Sequence, residues 1–481
     1  VDPILAVGAI VAALLAGAAL ALALRPRVRA AAMLLALALT PALLLAEIWD
    51  SEQIEALRER PALAAGLALA GLLVAGALAV LFARRPSLLP VAAVATLPFR
   101  VPIAAGGTTS SLLVPLYLVI AAGVLAYAVP RLVRGAADDE PEPPGVWVRR
   151  LLAASIVLYA VQAAYSSDFE RALQQVAFFL VPFALMAALL MRVVWTRELL
   201  VRCLGVLVAL AVVFVSIGFV EYATRSLLLN PKVIASNQFE DYFRVNSLFF
   251  DPNIYGRFLA TVMLLLTAVL LWARRPRVIA ACAVLLAVLW GGLVLTLSQS
   301  SFTGLLAGLV VLAALRWGTK PALAAAAAVL VVGAAVALAA PGEVGLDQDA
   351  NDATSGRSAL IEGGVSLAAD EPLVGYGSGS FRREYRRAEN TSGERATNAS
   401  HTMPITIAAE QGVIGLAVYL TLLAAALTLL LRGARSSVSR AGVAAAFIAL
   451  VVHTLMYAAF LEDPLAWALL AAGTALAGRE P

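Results

Sequence analysis

The feature that most constrains the fold of this chain is a succession of apolar blocks of about 17–22 residues, separated by short loops that carry arginine. Helices of that length cross about 30 Å of hydrocarbon. Of the 481 residues, 62% are hydrophobic and 14% are charged, whereas soluble domains average about 25% charged residues. Because lipid offers no partner to a backbone polar group, the blocks predict an all-α polytopic membrane protein.

The apolar blocks predict about 12–15 transmembrane helices and one large extracytoplasmic loop. The block at 87–105 is interrupted by Pro98-Phe99-Arg100, and the blocks at 151–166 and 464–478 are short. The predicted spans are 4–24, 30–48, 62–83, 87–105, 111–129, 151–166, 174–194, 203–223, 254–273, 278–297, 301–316, 321–340, 404–431, 441–461 and 464–478.

The basic residues predict an orientation, because short cytoplasmic loops of membrane proteins are enriched in arginine and lysine. Alternate loops carry arginines such as Arg25, Arg84, Arg131, Arg274 and Arg432. The opposite side then receives the polar segment 341–403, which is predicted to face outward. In a chain otherwise built for lipid, this dense polar segment is where we expect the chemistry.

The apolar blocks and the loops between them predict that the chain has five segments. A proline- and acid-rich run, Asp138 to Pro144, separates the N-terminal spans from the remainder and is typical of a flexible cytoplasmic connector. The segments are N-terminal transmembrane helices at 1–135, a cytoplasmic linker at 136–150, central transmembrane helices at 151–340, an extracytoplasmic catalytic loop at 341–403, and C-terminal transmembrane helices at 404–481.

Several classes of protein and site are not supported by the sequence. Cys203 and Cys282 lie in or beside apolar blocks, which argues against a disulfide framework. The acidic residues Asp347, Asp349 and Asp352 are typical of a loop rather than of a cation cage. No phosphate-binding glycine loop or nucleic-acid module is recognised. We therefore predict no metal, no cofactor and no nucleic-acid partner.

The first stretch that could carry chemistry runs from Tyr242 to Asn253, just before an outward-starting span. Arg244 lies near the predicted membrane surface, where a guanidinium can grip a phosphate with paired donors. Asp251-Pro252-Asn253 is a turn and helix-start signal. An ordinary loop with a helix cap and an arginine that reaches the surface is the alternative interpretation, and the stretch alone does not exclude it.

The second stretch begins at Arg357, ahead of a short helix predicted to end near Asp370. A turn rich in glycine follows at 375–379, whose backbone N–H groups could form an anion nest. Arg382 and Arg383 belong to an arginine cluster completed by Arg386 and Arg387. Most of this cluster is expected to be a face exposed to solvent or to lipid headgroups. A solvated loop charge is likewise the alternative for Arg357.

The third stretch contains His401, at the predicted outer boundary of a span that carries Glu410. Imidazole is the side chain best suited to take a proton near neutral pH. The second histidine, His453, lies within an apolar span and is expected to be a packed, hydrogen-bonded helix residue.

Taken together, these stretches resemble the O-antigen ligase and polymerase family of bacterial envelope glycosyltransferases. The resemblance covers about residues 240–430. It rests on the order of five motifs: Arg244 to Asn253, Ser298-Gln299-Ser300-Ser301-Phe302, the region of Arg357 with Asp370-Glu371-Pro372-Leu373-Val374-Gly375-Tyr376-Gly377, His401, and Glu410-Gln411-Gly412-Val413-Ile414-Gly415-Leu416. The chain departs from the family at Gln299, where arginine is usual, and at Thr402, where asparagine is common.

The resemblance implies a fold like that of the GT-C glycosyltransferases and a location in the bacterial cytoplasmic membrane with an outward-facing active site. The implied donor is a glycan on undecaprenyl pyrophosphate, and the acceptor is a glycan or a lipid. Arg244 and Arg357 would bind the pyrophosphate, and His401 would orient or deprotonate the acceptor hydroxyl. Asn253, Glu410, Arg382 and Arg383 are candidate supporting residues, and metal independence would follow from arginines serving as the charge sink.

Three alternatives remain open at this point. A ligase attaches a finished glycan to its acceptor, whereas a polymerase joins lipid-linked repeat units, and the sequence does not separate the two. A transporter or flippase would be expected to carry functional polar residues near the middle of the bilayer. Here the polar residues concentrate at the predicted outer surface, which favours the enzyme.

Overall fold

A computed structural model of the chain describes residues 2–47, 59–105, 108–133, 140–228, 243–339, 357–388, 400, 402–457 and 459–478. Eleven of the helices in these ranges are long and apolar enough to cross a membrane, and three shorter apolar helices accompany them. The predicted class, an all-α polytopic membrane protein, is confirmed.

The described residues of the N-terminal half form eight helices and one β-hairpin. The elements are α1 (Pro3–Ala21), α2 (Pro26–Glu47), α3 (Pro61–Arg84), α4 (Leu88–Thr96), β1 (Val101–Ala105), β2 (Thr108–Leu112), α5 (Val114–Val133), α6 (Val146–Ala163), α7 (Phe169–Leu190) and α8 (Arg197–Thr224). Helix α7 contains a π-helical segment at Gln175–Leu180.

Nine helices lie in the described ranges of the C-terminal half, and two of them, α13 and α14, belong to the polar segment between spans. The elements are α9 (Pro252–Trp272), α10 (Pro276–Thr296), α11 (Gln299–Trp317), α12 (Thr319–Ala339), α13 (Arg357–Asp370), α14 (Phe381–Ala388), α15 (Met403–Leu431), α16 (Val438–Thr454) and α17 (Pro464–Ala477).

One predicted span, the block at 87–105, is wrong. Helix α4 has only 9 residues, which gives it a length of about 13 Å, too short for the hydrocarbon layer. The chain then forms the antiparallel hairpin of β1 and β2, in which Val101 pairs with Leu112 and Ala105 with Thr108. Pro98 and Pro102 lack the N–H groups that a continuing helix would need, which accounts for the break.

The linker was predicted to be flexible, and its described part, residues 140–145, contradicts that prediction. The Glu142 carboxylate pairs with Arg29 and with Arg149, whose Nη1 lies 2.7 Å away. Both arginines are buried. Arg131 Nε donates to Glu140 at 2.6 Å. Burial opposes ionisation of Glu140, but hydrogen bonds from Tyr127 and Arg131 lower its pKa on balance. Buried guanidinium groups need counter-charges, so the linker is held against the helices.

The two halves are built around different central helices. In the N-terminal half, 83% of the most apolar window of α7 is buried, and the helix packs against α1, α2 and α17. In the C-terminal half, α9 packs against α10, α11 and α16. Helices α9, α11 and α16 pack against one another. The polar residues at their ends therefore lie close together.

Candidate active site

Five helix ends meet on one side of the C-terminal half. Helices α9, α11 and α17 begin there with side-chain caps from Asp251, Ser298 and Asp463, while α10 and α16 end there. An aspartate at the cap followed by proline is a strong helix start, since the carboxylate accepts the first N–H groups and proline has none to satisfy. Local sequence therefore determines that these helices begin with polar caps, and the packing of the helices brings the caps to one face.

Arg244 is held between these helix ends. Its Nε donates to the Thr296 carbonyl oxygen at 3.0 Å, and its Nη2 donates to Asn253 Oδ1 at 3.3 Å. The same Asn253 oxygen accepts from the Ser298 hydroxyl at 2.8 Å. The structure thus places Arg244 and Asn253, which the sequence analysis named at the two ends of one stretch, in direct contact. The guanidinium plane is oriented by two fixed acceptors rather than left to move freely.

His453 lies directly beneath this pair and is buried, at 1% exposure. Its Nδ1 accepts from Arg257 Nε at 3.2 Å, so in a neutral ring the proton is on Nε2. That nitrogen lies 3.1 Å from the Ser300 hydroxyl and 3.3 Å from the Asn253 carbonyl oxygen. The prediction that His453 is a packed, hydrogen-bonded helix residue is confirmed.

Arg257 is a residue of this network that the sequence prediction missed. It is 3% exposed and forms an ion pair with Asp463 at the start of α17. Tyr457 donates to Asp251 Oδ2 at 3.0 Å, and the Arg257 guanidinium lies 5.6 Å from the Tyr457 ring. Burial, and then the neighbouring Asp251, raises the pKa of Tyr457 well above its ordinary range, so the phenol keeps its proton. An arginine within an apolar block was the signal that could have identified Arg257, because ionisable groups inside spans are costly.

A second group of predicted residues surrounds the glycine-rich turn at 375–379. Gly377 N donates to the Glu410 carbonyl oxygen at 2.8 Å, and Tyr376 N donates to the Ala409 carbonyl oxygen at 3.2 Å. The Phe381 N–H donates to the Glu410 carboxylate at 3.2 Å. The Tyr376 and Gly377 N–H groups are therefore occupied by backbone carbonyl oxygens of α15, and the predicted anion nest is not an open site at these two residues.

Two glycines allow the turn and α15 to approach so closely. Helix α15 is kinked at Gly412, where φ is +63°, and the kink leaves Val413 N to donate to the Pro372 carbonyl oxygen at 2.8 Å. A Cβ atom on Gly375 would lie 2.4 Å from the Glu410 carbonyl carbon, and one on Gly412 would lie 2.3 Å from that of Leu373. The motifs at 370–377 and 410–416 thus form one interlocked unit.

The arginine cluster lies on α14, next to this unit. Arg382, Arg383, Arg386 and Arg387 line an open cavity of about 480 Å³ together with Asp168. The pKa of Arg382 is lowered by partial desolvation and by the nearby Arg386 and Arg171. Arg383 donates to the Ser167 carbonyl oxygen, which fixes α14 against the segment before α7. The cluster is a positive surface beside the interlocked unit.

The remaining two predicted residues are placed only in part. Arg357 is the first residue of α13, as the predicted short helix required, and its side chain lies outside the described residues. His401 itself also lies outside them. On either side of position 401, Ser400 N donates to Thr406 Oγ1 at 3.1 Å and Thr402 Oγ1 donates to the Leu455 carbonyl oxygen at 3.0 Å. Leu455 follows the end of α16, two residues from His453.

The fold and these contacts define a polytopic membrane protein with an arginine-bearing polar site at converging helix ends. Residues 284–420 match the sequence model of the O-antigen ligase family. This match covers part of the chain and supports the resemblance to the O-antigen ligase and polymerase family that the sequence motifs predicted. No curated protein matches the chain.

The matched region runs from α10 into α15 and includes Ser298, the glycine-rich turn and Glu410. Arg244, Asn253, Arg257, His453 and Asp463 lie outside it. Their connection to the matched region is made by contacts: Ser298 with Asn253, and Ser300 with His453.

Proposed function

We propose that the protein is a glycosyltransferase of the O-antigen ligase type. It transfers a glycan from an undecaprenyl pyrophosphate carrier to an acceptor hydroxyl at the outer face of the bacterial cytoplasmic membrane. The observation that carries the proposal is the match of residues 284–420 to the O-antigen ligase family. The matched region includes positions 357 and 401 as well as Ser298, which orders the pair of Arg244 and Asn253.

In the proposed reaction the acceptor oxygen attacks the anomeric carbon of the donor glycan. The bond between that carbon and the pyrophosphate oxygen breaks, and undecaprenyl pyrophosphate leaves with the bonding electrons. His401 takes the proton of the acceptor hydroxyl. Arg244 and Arg357 bind the pyrophosphate and stabilise the negative charge that develops as it departs. With two guanidinium groups in this role, the reaction proceeds without a divalent cation.

The contacts of Arg244 support its role. Electrostatic stabilisation is strongest where the charged donor is oriented before the reaction, because no reorganisation is then needed in the transition state. Thr296 and Asn253 hold the guanidinium at 3.0 and 3.3 Å. The Arg244 guanidinium is therefore already oriented in the folded protein, before the substrate reacts. Asn253 therefore supports the site by positioning Arg244.

The other candidate supporting residues do not contact the reacting groups in the proposed reaction. Glu410 holds the start of α14 through the Phe381 N–H. Arg382 and Arg383 belong to the positive surface of α14 and would attract an anionic donor or acceptor. The proposal assigns the chemistry to Arg244, Arg357 and His401, and assigns positioning and attraction to these residues.

A ligase and a polymerase differ in the acceptor. The purified protein is incubated with a defined lipid-linked oligosaccharide, with and without a second lipid acceptor, in the presence of a chelator. Release of undecaprenyl pyrophosphate with one glycan transferred per acceptor supports the ligase, and a ladder of joined repeat units supports the polymerase. Movement of the intact donor across a vesicle membrane without release of the carrier would instead identify a flippase and overturn the proposal.

A further inference from the structure

An open cavity of about 800 Å³ lies between α8, α9, α16 and α17 and takes no part in the site described above. Most of its lining is apolar, with leucines such as Leu200, Leu265 and Leu469. Its volume is that of a site for a small molecule or a lipid. Apolar walls of this kind suit hydrocarbon rather than a sugar.

One end of the cavity is strongly basic. Arg197, Arg274, Arg275 and Arg440 all line it, together with the side chains of Ser437 and Ser439. Arg197 is the first residue of α8, Arg274 and Arg275 connect α9 to α10, and Arg440 lies in the first turn of α16. Four cations with adjacent hydroxyl groups form a complementary surface for a phosphate.

This basic end lies on the opposite side of the bundle from Arg244. Asn253 is near the N-terminus of α9, whereas Arg274 and Arg275 follow its C-terminus, and α9 has 21 residues. A helix of that length is about 30 Å long, which is about the thickness of the hydrocarbon layer. The enrichment of these loops in arginine assigns the basic end to the cytoplasmic side.

Among the described residues, no carboxylate oxygen lies within 4 Å of the guanidinium groups of Arg197, Arg274 or Arg275. All three side chains are exposed. Trp195 and Trp272 also line the cavity, and tryptophan is enriched at the level of lipid headgroups.

We infer that this cavity binds one anionic phospholipid of the cytoplasmic leaflet. Its phosphate lies among Arg197, Arg275 and Arg440, and its acyl chains lie along the leucines of the cavity. The tail of a polyprenyl carrier could fill the apolar part, but a carrier whose pyrophosphate lies at Arg244 has its anion on the opposite side of the bundle and leaves the basic end unmatched. The basic end therefore favours a lipid whose headgroup lies on this side.

The occupant would also support the polar network. Leu97 and Leu465 line both this cavity and a smaller one of about 30 Å³ that reaches Arg257 and Asp463. Acyl chains that fill the large cavity would pack against α17, whose cap Asp463 pairs with Arg257. A lipid that binds the folded protein and not the unfolded chain stabilises the folded state by mass action.

The test uses the full chain, purified in detergent and stripped of lipid. It is incubated with equal amounts of phosphatidylglycerol and phosphatidylcholine, and the bound lipid is measured by native mass spectrometry. We expect one phosphatidylglycerol per chain, with phosphatidylcholine bound at least about tenfold more weakly, because the choline cation of phosphatidylcholine cancels the charge of its phosphate and is repelled by the arginines, whereas phosphatidylglycerol has a net negative charge. Equal binding of the two lipids would overturn the inference. Retention of a polyprenyl phosphate in preference to phosphatidylglycerol would also overturn it.

Two variants and one control make the test specific. The triple variant Arg197→Gln, Arg275→Gln and Arg440→Gln should lose the preference for phosphatidylglycerol. Leu200→Trp should reduce binding of both lipids by filling the cavity while leaving the arginines intact. Arg435→Gln, an exposed arginine nearby that does not line the cavity, should bind as the unmodified chain does.

Soluble glycerol 3-phosphate distinguishes a lipid from a free anion. We expect it not to displace phosphatidylglycerol, because it lacks acyl chains. Displacement at equal concentration would show that the site binds a free anion, and it would refute the inference that the cavity binds a phospholipid. The readout is lipid retention, so the result does not depend on whether the protein transfers glycans.

Discussion

His453 Nδ1 accepts a hydrogen bond from Arg257 Nε at 3.2 Å, and through this contact α16 is tied to α9. Arg257 in turn pairs with Asp463 at the start of α17. His453 also contacts Ser300 and the Asn253 backbone, so one buried imidazole joins the helices that position Arg244. The network explains why the caps of separate helices form a single polar face.

Replacing Arg257 with methionine should destabilise the protein strongly. The substitution leaves Asp463 buried without its cationic partner, which typically costs about 3–5 kcal/mol. The double variant Arg257→Met, Asp463→Leu should recover much of that loss, because it removes both charges. Thermal unfolding in detergent measures the effect. A single variant as stable as the unmodified chain would show that the pair carries little of the stability.

Gly377→Ala should disrupt the glycine-rich turn. The residue has φ of +94°, and an added Cβ would lie 2.3 Å from Ser166 Cα. We expect the free energy of unfolding to fall by several kcal/mol, because the backbone strain and the steric clash both destabilise the folded state. The effect is measured as a lower unfolding temperature. Gly66→Ala is the matched control, because its Cβ would meet no atom within 4 Å and α3 should gain about 1 kcal/mol from alanine. Equal effects of the two substitutions would argue against close packing at Gly377.

Arg244→Lys should lower the rate of glycan transfer by at least about 100-fold, the typical effect of removing one preorganised donor. Lysine keeps the charge but cannot contact both Thr296 and Asn253 and still present paired donors. Asn253→Ala should have a smaller effect of the same kind, since it removes only one of the two acceptors. Transfer is measured as release of undecaprenyl pyrophosphate, with Arg435→Lys as the control. Full activity of Arg244→Lys would remove this residue from the pyrophosphate site.

His401→Ala should abolish glycan transfer while the protein remains folded in membranes, because the acceptor hydroxyl loses its base. Arg357→Lys should retain the fold and lose activity, since a point charge lacks the paired donors of arginine. Transfer is measured with a lipid-linked donor, and folding is followed by gel filtration and by helical content. Near-normal transfer by His401→Ala would refute the assigned mechanism.

Glu142→Gln should loosen the linker. Arg29 and Arg149, whose side chains are 1% and 5% exposed, would lose the carboxylate that pairs with both. Arg149 would lose its pair with a carboxylate, whereas Arg29 would keep its pair with Glu140 at 3.6 Å. Breaking a buried ion pair costs about 3–5 kcal/mol. Glu198→Gln is the control, because Glu198 pairs with Arg202 on an exposed surface and such pairs contribute at most about 1 kcal/mol. If the two variants unfold at the same temperature, the linker is not an anchor.

Much of this architecture was predictable because its causes are local. The length and apolarity of each block determine whether a helix can cross lipid, and the polytopic class follows from that alone. Asp251-Pro252 and Asp463-Pro464 are helix starts wherever they occur, since cap and proline act within a few residues. Helix α13 and the resemblance of residues 284–420 to O-antigen ligases were likewise predictable from sequence. The prediction of a span at 87–105 was wrong because it considered only how apolar the block is. The prolines in the block end the helix early, so the helix is too short to cross the membrane.

The tertiary structure alone decided which polar groups meet. Nothing in the sequence near Glu142 shows that it will neutralise Arg29, and nothing near Glu410 shows that the glycine-rich turn will close on it rather than on a substrate. Arg257 and Asp463 are 206 positions apart, and their pairing depends on the packing of α9 against α16 and α17. Sequence determined which segments enter the membrane, because transfer into lipid is a property of each segment. Folding determined the site, because hydrogen bonds and ion pairs depend on distances between segments that only packing sets.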